Sequence, residues 1–173
     1  MKLAVTAFAL LFTACGGDDF SGIYQVTTAL SDGAGCGTGT SSAAPSHVMV
    51  QESSFLGQTV LQVKICTSAD AASCGESSAL VAQGLVQDTG KGGVAFGQTA
   101  GTGCEIQGTF VTLVREGDAI TIKAERREGT VPGECVASEL TDHESELMCK
   151  SNQTITANRV GDAPKGADNQ IKL

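Results

Sequence analysis

The sequence predicts an all-β domain, a mostly antiparallel meander of about eight short strands forming a small barrel or sandwich. Three observations carry this. Apolar residues alternate with polar ones at a period of two along most of the chain. Clusters of Gly, Ser and Asp interrupt these runs at short spacing. Runs that favour helix are few.

The elements follow in order. Phe20, Gly22, Tyr24 and Val26 share one face of a first strand. Val48 and Val50 alternate with Met49 and Gln51, and Leu61, Val63 and Ile65 with Gln62, Lys64 and Cys66. Further strands are expected over 79–87, 93–98, 104–114 and 154–160. Residues 109–128 read as a hairpin around Glu116-Gly117-Asp118, where glycine supplies the positive φ of a tight turn. Residues 137–150 break the pattern. They are polar and helix-prone, and Thr141 with Glu144 fits a capping box. A short helix is expected near 141–149, with a second hairpin as the alternative. Residues 161–173 have no period and are expected to form a flexible tail.

The first residues have a different logic. Lys2 precedes twelve largely apolar residues, 3–14. A bilayer needs roughly 20, so this is the layout of a signal peptide and not of a transmembrane helix. It stops at Cys15, and Phe12-Thr13-Ala14-Cys15 resembles the bacterial lipobox. Thr13, Ala14 and Cys15 match that pattern; Phe12 stands where an aliphatic residue is usual. The resemblance implies cleavage before Cys15, a diacylglycerol thioether on its sulfur and an N-acyl chain such as palmitate. With several chains the anchor holds stably. In such lipoproteins an Asp after the cysteine favours the inner membrane. Here Gly16 follows, which implies the outer membrane, at its periplasmic face or at the cell surface. The organisation expected is therefore a signal peptide (1–14), a lipidated cysteine with a short linker (15–19), a single β domain (20–160) and the tail (161–173). The four linker residues reach at most about 14 Å, which would hold the domain close to the bilayer.

The lipobox explains the cysteine count. There are seven cysteines. With Cys15 lipidated, Cys36, Cys66, Cys74, Cys104, Cys135 and Cys149 remain, an even set in an oxidising compartment. Local closures suggest Cys66–Cys74, Cys135–Cys149 and Cys36–Cys104, one of many connectivities that six cysteines allow. No CxxC or CxH pair favours zinc.

Composition narrows the function. The formal net charge of −8 argues against nucleic acid and against anionic membrane surfaces as charge-driven partners. The absence of Trp and the single Tyr leave few flat faces on which sugars or bases stack. GxSxG, HExxH, SxxK and phosphate-loop motifs are absent, so neither an enzyme nor a cofactor is expected. His47 opens a strand and reads as a surface residue. His143, with Asp142 and Glu146, offers nitrogen and carboxylate ligands, but a charged surface helix has the same letters. Arg126-Arg127 beside Glu125 and Glu128 reads as a solvated ion-pair cluster.

A second resemblance is narrower. Phe20-Ser21-Gly22-Ile23-Tyr24 is similar to the G-x-W opening strand of lipocalins, with Tyr24 in place of Trp, and Arg159 on the last strand would face that aromatic. It implies a barrel able to hold a lipid or other apolar small molecule. In size, anchor and cysteine content the chain is similar in kind to the accessory lipoproteins of bacterial envelope machines, including those of gliding motility. The leading expectation is a protein that acts through contacts with an envelope protein; the alternative is an apolar-ligand carrier.

Overall fold

In the computed structural model, residues 19–33, 35–55, 58–75, 77–136 and 139–164 are described. Residues 1–18, which include the expected signal peptide, Cys15 and most of the expected linker, and residues 165–173 lie outside them. The chain is all-β. Its strands are β1 (Gly22–Asp32), β2 (Thr40–Ser41), β3 (His47–Phe55), β4 (Gln58–Cys66), β5 (Cys74–Gly75), β6 (Leu85–Val86), β7 (Lys91–Ala100), β8 (Gly103–Glu116), β9 (Ala119–Pro132) and β10 (Met148–Gly161). Eight of them pair in chain order as β1, β3, β4, β6, β7, β8, β9 and β10, each antiparallel to the next. β10 then returns to β1, so the sheet closes into a ring. β2 adds to β1, and β5 to β4.

The strands are staggered. β1 and β10 pair from Ile23↔Gly161 up to Asp32↔Asn152. The β8–β9 hairpin turns at Gly117, whose φ of 63° suits its two-residue loop. It continues upward to Gly103↔Pro132, past the level at which β1 stops. The molecule thus has a closed lower part and an upper part in which β7, β8 and β9 project.

The closed part is filled. Val48, Val50, Val63, Ile120, Ile122, Ile155 and Ala157 pack within it, each side chain almost entirely removed from water. Each such aliphatic contributes about 1.5–3 kcal/mol. At the lower end Tyr24, wholly buried, donates its hydroxyl to Phe20 O at 2.8 Å. Burial pushes its phenol pKa up, although Arg115 and Arg159 pull the other way. Tyr24 stands opposite Arg159 in the β1–β10 register. Arg115 Nη1 donates to Asp19 O, and Arg159 lies 3.9 Å from the Asp19 carboxylate.

Two expected elements differ. Residues 79–87 form a 3-10 turn, Leu80–Ala82, and only then the two-residue β6. The chain turns inward here to bury Val81, and Gly84 lets Val111 approach so closely that a Cβ would lie 2.4 Å from its Cγ2. The helix near 141–149 is replaced by turns with one 3-10 turn, Glu144–Glu146, and neither it nor a second hairpin forms. Leu140 and Leu147 pin this segment to the sheet, and β9 claims Met148 and Cys149 as strand. Thr141 contributes its carbonyl, which accepts from Glu144 N, and His143 occupies the cap position without a side-chain capping bond.

The disulfides are Cys36–Cys149, Cys66–Cys74 and Cys104–Cys135. The expected Cys135–Cys149 and Cys36–Cys104 pairs are not formed. The hairpin register sets Cys104 opposite Val131, so the chain leaving β9 brings Cys135 beside Cys104. Cys149 lies near the top of β1, within reach of the loop that carries Cys36. At the start of the segment expected as a tail, Asp162 pairs with Arg159, and Gln51 Nε2 donates to Pro164 O; the rest of that segment lies outside the described residues.

Candidate functional site

The site lies where the ring opens. In the closed part the inward residues of the hairpin are Val111 and Leu113 on β8 and Ile120, Ile122 and Ala124 on β9. Above them the same face carries Thr109, Gln107 and Glu105 on β8 and Arg126, Glu128 and Thr130 on β9. β7 adds Val94, Phe96 and Gln98 in register. The Leu80–Ala82 turn separates the two levels. Val81 seals the core below, and its N–H donates to Gln153 Oε1 at 3.2 Å.

What remains above is a concave trough of about 430 Å³, lined by Phe96, Gln98, Glu105, Gln107, Glu128 and Met148. A recess of about 280 Å³ adjoins it, shares Phe96 and Gln107, and adds Gln83, Val94 and Arg126. Phe96 is 66% exposed and Met148 64%. Large apolar side chains left in water on a concave surface mark a place where something binds. The polar groups are arranged in pairs. Gln98 Nε2 donates to Glu105 Oε2 at 2.8 Å, and Lys150 Nζ lies 2.9 Å from Glu128 Oε1. Arg126 is exposed and has no hydrogen bond or ion pair among the described residues.

The back of the trough is rigid. There Cys104, Ile106, Phe110 and Val131 form a second core with Leu140 and Leu147. Gly97 is required: a Cβ would lie 2.7 Å from Leu140 Cδ2 and close to both sulfurs of Cys104–Cys135. Glu125, 8% exposed, takes hydrogen bonds from Arg127 Nε at 2.9 Å and Nη2 at 2.5 Å, with Lys123 Nζ at 2.5 Å. Burial acts to raise its pKa; the bonds from Lys123 and Arg127 outweigh it and hold the carboxyl below its ordinary value. Arg127 also donates to the carbonyls of Glu144 and Leu147, which ties the covering loop down. The arginine pair is therefore split between two faces and is not one solvated cluster. Arg127 is half-buried behind the trough, and Arg126 faces into the adjoining recess.

Among the described residues, one group of potential metal ligands converges: Cys36, Glu125 and Cys149. Its two sulfurs are joined as a disulfide, and its carboxylate is held by two cations, so a metal ion finds no free donor set there. His143 pairs with Glu146 at 2.7 Å, and His47 contacts Ser46 Oγ at 3.1 Å, both away from the trough. Phe96 and Met148 do not stand out in the sequence. The available signal was the alternation of Val94 and Phe96 with the small residues Gly93, Ala95 and Gly97.

No protein family, characterised protein or solved structure matches this chain. The trough therefore has to be interpreted from its own chemistry. It offers apolar surface, amides and paired charges on a braced scaffold.

Proposed function

We propose that this chain is a non-enzymatic lipoprotein, anchored at the outer membrane of a bacterium through Cys15, that acts by binding an envelope protein in its trough. The supporting observation is the exposed pair Phe96 and Met148 on a concave, disulfide-braced surface. Position agrees with it. Asp19, the first described residue, sits at the closed end beside Arg115 and Arg159, whereas the trough is at the other end. Eight to ten residues of β8 lie between Arg115 and the trough residues Gln107 and Glu105, which separates the two by roughly 20–30 Å, so a short tether would present the trough away from the bilayer. Photo-crosslinkers at positions 96 and 148 in intact cells should capture one discrete partner, and the same groups at Lys64 and Lys123 should not. Equal labelling from all four positions, or capture of none, would sink this reading. Cys15→Ser should abolish capture by displacing the domain.

One observation favours a second reading. A closed eight-strand meander with Tyr24 opposite Arg159 is the arrangement expected of a lipocalin-like carrier. Since the closed part is packed with side chains, an apolar ligand would have to lie in the trough. Solvent extraction of the purified protein and mass spectrometry should then recover a stoichiometric lipid, and a clean extract would dismiss the carrier.

A further inference from the structure

The ring is thinnest between β4 and β7. β6 supplies two residues, and its register partner on β7 is Gly92. Beyond that point β7 runs to Ala100 with β8 on one side and, among the described residues, no strand on the other. Neighbouring bonds fix the direction of its backbone groups. Gly90 O accepts from Leu113 N and so points towards β8; Lys91 O accepts from Gln87 N and points away. In an antiparallel ladder this direction alternates residue by residue. Ala95, Gly97 and Thr99 therefore direct their N–H and C=O groups out of the sheet. Protein edges of this kind are usually blunted by Lys, Pro or a bulge. From Gly92 to Ala100 there is no charge and no proline, and the register with β8 is unbroken.

We propose that residues 95–99 of β7 form a strand-addition site, where an extended segment of a partner polypeptide pairs with the edge and lays an apolar side chain against Phe96, at the edge of the trough. This deepens, and rests on, the reading of the trough as a protein-contact surface. The occupant follows from the chemistry. A row of backbone donors and acceptors is satisfied by another backbone, with the adjacent pocket selecting side chains. A second copy fits less well: each carries a formal charge of −8, and so short a strand pair falls below the roughly 1,200 Å² of a stable interface. The same charge favours a neutral or basic segment.

The test uses the full chain in detergent, panned against a phage-displayed library of random dodecapeptides. Enriched peptides should carry apolar side chains at alternate positions and shift the amide resonances of Ala95, Gly97 and Thr99. Thr99→Pro removes one outward N–H at an exposed position whose N–H does not bond to β8, and should weaken binding about tenfold with little change in melting temperature. N-methylating alternate residues of the peptide leaves the protein untouched and should abolish binding. The proposal is overturned if no peptide is enriched, if shifts map elsewhere, or if neither Thr99→Pro nor N-methylation weakens binding. It is equally overturned if the chain sediments as a dimer that Thr99→Pro dissociates, since the occupant is then a second copy. Crosslinks from position 96 that persist in Thr99→Pro cells would leave the trough reading standing and remove this one.

Discussion

The lower and upper halves of the β8–β9 hairpin are built from the same two strands and behave in opposite ways. Below, the apolar side faces inward: Val111, Leu113, Ile120, Ile122 and Ala124 fill the ring. Above, it faces outward: Cys104, Ile106, Phe110 and Val131 lie under the 139–147 segment, and the inward face is polar and open. The crossover falls at Gly108–Val111, where four successive residues are buried. A strand face becomes core only where another layer stands opposite it. Where the ring closes, that layer is the far wall; where it opens, it is a loop on the other side.

Substitutions test this contrast, in decreasing order of expected effect. Tyr24→Ala, at the closed end, should cost about 3–5 kcal/mol, the range for a buried aromatic. Chemical denaturation would measure it, and a loss under about 1 kcal/mol would mean that the lower half is less well packed than described. Replacing Cys104 and Cys135 together by Ser should cost about 3 kcal/mol and loosen the back of the trough. If the unfolding transition then splits in two, the halves are separate cooperative units.

Glu125→Gln acts at the junction and should cost about 1.5–3 kcal/mol at neutral pH. The sign with pH is determined by the lowered pKa. The folded carboxyl titrates below its ordinary 4.5, so the stabilisation is complete above that value and is lost as pH falls through the folded one. The difference between wild type and variant should therefore shrink on acidification; a constant difference would assign Glu125 a packing role only. Smallest of all, Phe96→Ser should change stability by less than about 0.5 kcal/mol, as for an exposed site. It should nevertheless remove crosslinks from position 148. Stability lost without loss of crosslinks would make Phe96 structural.

Much of this architecture was legible in the alternation. Val48, Val50, Leu61 and Val63 were placed on one face of their strands by a period of two, and Gly117 located the hairpin. The turn even contained the missed disulfide. Counting outward from Gly117 puts Cys104 opposite Val131 and brings Cys135 beside it, but proximity in sequence had favoured Cys135–Cys149. The inversion was also written in CEIQGTFVTL, residues 104–113, whose apolar residues occupy even positions to Phe110 and odd ones from Val111. A half-turn in hydrophobic phase without a bulge means a change of covering layer. The trough itself was not legible, because the alternation of Val94 and Phe96 with small residues marks a strand face without showing whether that face is covered. It becomes visible only when the opposite wall is known to be missing.

Arg115 and Arg159 grip Asp19 just before β1, and this has a mechanical consequence. Tension applied through the N-terminal end enters there, in line with a strand bonded on both sides, to β10 and to β3. A force applied at the trough would pull from the opposite end. The load then runs lengthwise along the ring, and the ladder bonds of β1 share it in shear instead of opening one after another like a zipper. Such a barrel is a stiff link between a surface and whatever pulls on its far end.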